Sequence, residues 1–97
     1  MPKLTLRVRT ENDLGELLAR EESPAWVVAE DKENWITKVQ IVNFDGTQMI
    51  EGVFDRHGSQ RREDGRLILR FFDGRIVNCK VEFDARNPVR YIEGAGQ

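Results

Sequence analysis

The stretch that decides the fold is "WITKVQIVNFDGTQMIEGVF", residues 35–54. Asp45-Gly46 divides it into two runs rich in β-branched and aromatic residues, and this dipeptide readily adopts the positive φ angles of a tight hairpin turn. A two-residue turn would place Ile41 opposite Ile50, which fixes how the two strands pair. The face that this register turns toward the core contains Trp35, Val39, Ile41, Ile50, Gly52 and Phe54. The stretch therefore predicts an antiparallel hairpin with one buried face.

A second Phe-Asp-Gly, residues 72–74, lies 28 residues after the first one at 44–46. We expect a second hairpin here, between strands at 66–72 and 75–83. A two-residue turn would set apolar residues of one strand against polar residues of the other. A three-residue loop with Gly74 in the left-handed conformation avoids this mismatch and predicts a bulged turn. The face formed in that arrangement contains Leu67, Leu69, Phe71, Val77, Cys79, Val81 and Phe83.

The amino-terminal part predicts a strand followed by a helix. Residues 4–9 alternate apolar and polar side chains, which is typical of a half-buried strand. Thr10 and Asp13 have the spacing of a capping box, so a short helix is expected to follow and to run to about Glu22. Pro24 ends it, because proline disfavours helical geometry at the preceding residue.

Two further strands are expected at 25–30 and 89–92, which completes an α+β pattern. We predict one short amino-terminal helix packed on a bent, mostly antiparallel sheet of about six or seven strands. A small barrel or roll is the alternative form of such a sheet. With 97 residues, the chain is expected to form a single domain over residues 1–97.

Composition narrows the functional classes. No apolar run approaches the roughly 18 residues that span a bilayer, and the first residues alternate instead of forming a signal-peptide core, so we expect a cytoplasmic protein without a membrane partner. A single cysteine and a single histidine leave too few ligands for a thiolate or imidazole metal site, and the acidic residues lack the spacing of a calcium loop. We therefore expect neither a metal nor a cofactor.

Catalytic motifs are equally sparse. Cys79 is in phase with Val77 and Val81, which favours a small buried hydrophobic residue over a reactive thiolate. His57 lies in a polar loop, and nothing in the spacing brings it close to Cys79. The glycines are isolated in turns, without a phosphate-binding fingerprint. We predict no catalytic residues and no enzymatic activity.

The loop "DRHGSQRREDGR", residues 55–66, contains four arginines but has a net charge of only +1. Its arginines could contact phosphates together with two arginines on the adjoining strands. A solvated connection between hairpins is the simpler interpretation, because the sequence pI of about 5.4 is far below that of dedicated nucleic-acid binders. The candidate nucleic-acid contacts are Arg56, Arg61, Arg62, Arg66, Arg70 and Arg75.

The stretch "VQIVNFDGTQMIEGVF", residues 39–54, resembles the first motif of Sm-like RNA-binding barrels. The shared features are a turn glycine, Gly46, and a glycine inside the next strand, Gly52. The resemblance implies a bent five-stranded barrel, ring assembly and RNA binding. The basic-glycine pair of the family's second motif is not evident, and in this chain a strand precedes the helix.

The leading functional hypothesis is a non-catalytic binding or assembly module. A single sheet with one short helix cannot cover both of its faces, so the second, apolar face is expected to bind a second copy of the chain or another protein. Two alternatives remain: a nucleic-acid-binding barrel that uses the arginine loop, and a small-ligand binder or carboxylate enzyme with a barrel mouth lined by Trp26, Trp35 and acids. The candidate interface residues are Val42, Phe44, Met49, Val53, Ile68 and Phe72.

Overall fold

A computed structural model describes residues 3–83 and 88–93 as a curled sheet with two short helices. The elements are β1 (Leu4–Thr10), α1 (Leu14–Arg20), β2 (Glu22–Trp26), α2 (Glu30–Glu33), β3 (Ile36–Asn43), β4 (Gln48–Phe54), β5 (Gln60–Arg61), β6 (Leu67–Asn78) and β7 (Val89–Glu93). The strand order is β2-β6-β4-β3-β1-β7, and β5 pairs with β6. The sheet curls into a half-barrel, which confirms the α+β class with a bent sheet. Every pairing is antiparallel except that of β1 with β3, which is parallel.

The β3–β4 hairpin has the predicted register, with Ile41 opposite Ile50. The turn is longer than expected, because the strands end at Asn43 and begin again at Gln48. The Asn43 carbonyl accepts a hydrogen bond from the Gly46 amide at 3.0 Å, and the Asn43 side chain accepts another from the Thr47 amide at 2.9 Å. A four-residue loop stabilised by Asn43 thus replaces the two-residue turn without changing the strand pairing.

The predicted second hairpin is wrong, because β6 runs without interruption through Asp73 and Gly74. Both of its halves pair with β4, and these two residues together lie opposite Gly52 as a β-bulge. Asp73 has a φ of 54°, the left-handed conformation that had been expected at Gly74. The extra residue shifts the alternation of side chains by one position, so Val77 lies on the opposite face from Leu67, Leu69 and Phe71. The predicted strand at 75–83 accordingly ends at Asn78.

The amino-terminal strand and helix are present, with different boundaries. The N-cap of α1 is Asp13 rather than Thr10: its Oδ2 accepts a hydrogen bond from the Glu16 amide at 3.0 Å. The helix ends at Arg20, and the strand expected at 25–30 is instead β2 at 22–26. Pro24 is tolerated there because β2 is an edge strand, in which one side needs no backbone donors.

The core lies on the concave side of the sheet, which we call the inner face. Its strand residues are fully or almost fully buried, and Leu14 and Leu17 of α1 are buried in the same cluster. The strand residues of this cluster include Leu6, Val8, Val39, Ile41, Ile50, Leu67, Leu69 and Phe71. No helix among the described residues has the length and apolar character needed to cross a bilayer.

Candidate functional site

The opposite side of β7, β1, β3, β4 and the second half of β6 forms what we call the outer face. Strand pairing places five polar residues in one row across it, in the order Arg90, Arg7, Gln40, Glu51 and Arg75. Arg7 Nε donates a hydrogen bond to Gln40 Oε1 at 2.8 Å, and Gln40 Nε2 donates one to Glu51 Oε2 at 3.3 Å. The middle of the row is therefore a connected network, and the arginines at its two ends are exposed.

The outer face is positively charged, although the chain as a whole carries −2. Its strand positions include the cations Arg7, Arg9, Lys38, Arg75 and Arg90 and the acids Glu51 and Asp73. Five cations and two acids leave a net charge of +3. The balancing acids lie elsewhere: residues 11–34, which contain both helices, have eight acidic and two basic residues, a net charge of −6.

The chain crosses one end of the outer face after β6, in what we call the crossing segment, residues 79–83. Cys79 and Val81 donate backbone hydrogen bonds to the carbonyls of Thr47 and Gly46, each at 2.9 Å. The segment therefore lies against the β3–β4 turn. At this end of the face Val42 and Met49 are buried within the chain.

The candidate interface residues consequently divide into three groups. Val42 and Met49 are buried, whereas Phe44, Phe72 and Val53 are 54%, 44% and 36% exposed. Val53 and Phe72 are cross-strand partners and form one exposed apolar pair. Ile68 is half-buried opposite Gln60 of β5, in the first half of β6.

Arg9 lies between two aromatic rings at the edge of the outer face. Its guanidinium carbon is 4.6 Å from the ring centre of Phe44 and 5.6 Å from that of Phe83, and the Arg90 guanidinium is 6.0 Å from the same Phe83 ring. Such stacking holds a guanidinium flat and leaves its N–H groups at the edges. Among the described residues the Arg9 side chain has no hydrogen-bond acceptor and no acidic partner, and the two rings hold the guanidinium in place.

The arginines of the 55–66 loop are placed differently. Arg61 Nη2 lies 2.7 Å from Glu33 Oε1 of α2, Arg62 pairs with Asp64, and Arg56 donates to the Asn34 carbonyl. Arg70, on β6, pairs with Glu22 at 3.7 Å. Of the six candidate nucleic-acid contacts, the structure brings Arg75 onto the outer face and leaves the Arg66 guanidinium without an ion pair among the described residues.

Arg66 lies instead in a groove between the two edge strands of the sheet, β2 and β7. This groove, of about 620 Å³, is lined by Trp26, Tyr91, the segment 25–29, Arg66 and Pro88 with Val89. A second groove of about 350 Å³ also contains Trp26 and Pro88 and extends to Arg9 and Phe44. Because the two share residues, we treat them together as the seam groove. Trp35 lines a further groove with Asp31, Lys32 and Tyr91. It has only Tyr91 in common with the seam groove, so the two tryptophans line different grooves and not the single mouth that was expected.

Cys79 lies beside the polar row instead of in the core, because the bulge shifts the alternation of β6. Its thiol donates to the Gly46 carbonyl at 3.4 Å. Burial raises the pKa of the Cys79 thiol, the Arg7 guanidinium lowers it, and the Glu51 carboxylate raises it. Burial likewise lowers the pKa of Arg7, Cys79 raises it and Arg90 lowers it, but an arginine remains charged in proteins.

Sequence reasoning predicted only part of this site. The nucleic-acid alternative expected the Arg61 and Arg62 loop to share one surface with Arg7, Arg9, Arg70 or Arg75, whereas Arg61 pairs with Glu33 of α2 and Arg62 with Asp64. Gln40 and Glu51 were expected only to be exposed strand positions, and Arg90 carried no role. A count of charges on the outward positions of each predicted strand would have indicated a cationic face. The alignment into one row depends on the parallel pairing of β1 with β3, which no local pattern predicts.

Neither a metal-site search nor a comparison with known proteins identifies a function. Within residues 3–83 and 88–93, no three His, Cys, Asp or Glu side chains form a group that could hold a metal ion. No family model, curated protein or solved structure matches this chain.

Proposed function

We propose that this chain is a non-catalytic binding module whose outer face binds single-stranded nucleic acid. The observation that carries the proposal is the row from Arg90 through Arg7, Gln40 and Glu51 to Arg75, together with the stacked Arg9 beside it. These groups form a cationic surface across five strands of a protein that is acidic overall.

Charge supports an anionic polymer as the ligand. Phosphates attract a concentrated positive face even when the net charge of the protein is negative, because the Debye length is only about 8 Å at physiological ionic strength. The acids of segment 11–34 repel a polyanion, so they disfavour binding to the two helices. The Arg7–Gln40–Glu51 network holds the centre of the row in a defined geometry.

Exposed aromatic rings favour a single strand over a duplex. Phe72 lies beside the row and Phe44 covers Arg9, and both rings are about half exposed. Unpaired bases stack on such rings with little sequence preference, whereas the bases of a duplex are already stacked on one another. The outer face therefore offers both backbone contacts and stacking positions.

The proposal is tested by titrating a labelled single-stranded RNA and DNA of mixed sequence, roughly 12 nucleotides long, and a duplex of the same sequence at low salt. We expect the single strands to bind more tightly than the duplex, and the affinity to fall steeply as salt rises. No binding to any of the three at low salt would refute the proposal.

A second candidate is assembly through the exposed pair Val53 and Phe72. The two side chains are cross-strand partners, which creates an apolar surface that no described residue covers fully. Two copies that met there would also bring together two outer faces that each have a net charge of +3. Because these faces repel each other, the interface would have to be confined to that end of the sheet. Sedimentation of the wild type and Phe72→Gln at micromolar concentrations separates the candidates: a dimer that Phe72→Gln dissociates supports assembly, and a monomer excludes it under those conditions.

A further inference from the structure

We propose that a bound single strand leaves the outer face at Arg9 and continues through the seam groove, where one unpaired base stacks on Trp26 and Arg66 contacts a phosphate beyond it. The inference rests on the proposed function and specifies the path and the stacking residue, which the charge of the outer face does not determine.

Arg9 connects the two surfaces. It belongs to the outward positions of β1, and it also lines the smaller part of the seam groove together with Phe44. Trp26 and Pro88 line both parts of the groove, so the path from Arg9 to Arg66 passes Trp26. A strand held at Arg9 therefore lies next to a groove that adjoins a second one at Trp26 and Pro88.

Within residues 3–83 and 88–93, neither cation on this path has an acidic partner, whereas two neighbouring arginines have one. Arg9 is stacked between Phe44 and Phe83 without an acidic partner, and Arg66 has no ion pair among the described residues. In the same loop Arg61 pairs with Glu33, and Arg62 pairs with Asp64. In the part of the chain that the structure describes, the arginines at the groove thus differ from Arg61 and Arg62 in having no acidic partner.

Trp26 is positioned as a stacking surface. Its indole nitrogen donates to Ser23 Oγ at 3.0 Å, which fixes the ring, and Ser23 is fully buried. Tyr91, further along the groove, accepts a hydrogen bond from the Ala29 amide at 2.9 Å through its hydroxyl. Both aromatic side chains have their polar atoms engaged within the chain, so the surface that they present to the groove is apolar.

Among the described residues that line the groove, Glu11 is the acid, and its charge affects which part of a nucleotide can bind there. Glu11 lies in the smaller part with Thr10 and Asn12. A carboxylate there repels phosphate but accepts a hydrogen bond from the exocyclic amino group of a base. The groove therefore suits a base near Glu11, with the phosphates at Arg9 and Arg66 on either side.

The test uses Trp35→Phe, which leaves Trp26 as the only tryptophan. A labelled mixed-sequence RNA of roughly 12 nucleotides is titrated while the anisotropy of the label and the fluorescence of Trp26 are followed together. We expect Trp26 fluorescence to be quenched in parallel with binding. Trp26→Phe, with Trp35 as the remaining reporter, should bind roughly five- to hundredfold more weakly and show no quenching.

Arg66→Gln is compared with Arg62→Gln as its matched control, since both residues are exposed arginines of the same loop. Arg66→Gln should weaken binding and lower the salt slope by about 0.7, and Arg62→Gln should do neither. Binding by anisotropy without Trp26 quenching, and with equal effects of the two arginine variants, would overturn the groove path and leave the outer face as the site. Absence of binding in every variant would overturn both proposals.

Discussion

The backbone carbonyl of Val81 occupies the space that a side chain at Gly46 would need: a Cβ built on Gly46 would lie 2.1 Å from the Val81 oxygen. The same two residues are joined by a hydrogen bond from the Val81 amide to the Gly46 carbonyl at 2.9 Å. This close approach ties the crossing segment to the β3–β4 turn, at the end of the outer face where Val42 and Met49 are buried.

Gly46→Ala is therefore expected to destabilise the protein by about 2–4 kcal/mol, because it adds left-handed strain and displaces the crossing segment. Gly65→Ala is the control: Gly65 has a φ of 83°, but no atom lies within 4 Å of the position of its Cβ. That variant should lose only about 1–2 kcal/mol. Denaturant unfolding measures both, and equal losses would contradict the contact between Val81 and Gly46.

The bulge in β6 predicts an unusual response at Asp73. Its φ of 54° lies in the left-handed region, which glycine adopts freely and which asparagine and aspartate tolerate better than other residues do. Asp73→Gly should leave the free energy of unfolding within about 0.5 kcal/mol of the wild type or raise it, because relief of strain offsets the greater freedom of the unfolded chain. Asp73→Val should lower it by about 1–2 kcal/mol. A large loss in Asp73→Gly, measured by denaturant unfolding, would mean that the Asp73 side chain stabilises the bulge.

Asp13 is expected to act as the N-cap of α1. Asp13→Ala removes the acceptor for the Glu16 amide and should cost about 1 kcal/mol of stability. Asp13→Asn keeps an acceptor oxygen and should lose far less. Thermal or denaturant unfolding that failed to distinguish the two variants would show that the cap hydrogen bond does not contribute.

Cys79 provides a probe of the outer face with a defined pH dependence. Its raised pKa, caused mainly by burial, means less thiolate at pH 8 than an ordinary cysteine has, so its alkylation should be slow. The rate should rise through a pH range above that of the same thiol in denaturant. Bound oligonucleotide should slow the reaction further, since Cys79 lies close to Arg7. An unchanged alkylation rate under saturating oligonucleotide would place the ligand away from this part of the face.

The hairpin at 35–54 could be predicted because its register depends on neighbouring residues of one short segment. Ile41 and Ile50 lie within the same 20 residues, and a change of the turn at Asn43 to Gln48 leaves their pairing intact. The second Asp-Gly could not be interpreted in this way. Its conformation follows from the pairing of β6 with β4 on both sides of Gly52, which no local signal encodes.

The candidate site likewise combines features that follow from local sequence with features that depend on long-range strand pairing. That Arg7, Arg75 and Arg90 would be exposed follows from strand alternation, but their alignment depends on long-range pairings of β1 with β3 and β7 and of β4 with β6. The arginines of the loop 55–66 were candidate nucleic-acid contacts because they are close together in the sequence. The contacts of Arg56 and Arg61 with α2 and its C-cap arise only in the folded chain.

The measurement that tests the central claim most directly compares two double variants with the same net charge. Arg75→Gln/Arg90→Gln removes both exposed ends of the row on the outer face, and Arg56→Gln/Arg62→Gln removes two arginines from the loop. Binding of the single-stranded RNA is measured for each across a range of salt concentrations. We predict that the outer-face double variant binds at least about tenfold more weakly at low salt and has a salt slope lower by about 1.4, while the loop double variant retains nearly wild-type values. Equal losses in the two double variants, or a greater loss in the loop double variant, would contradict the assignment of the outer face as the binding surface.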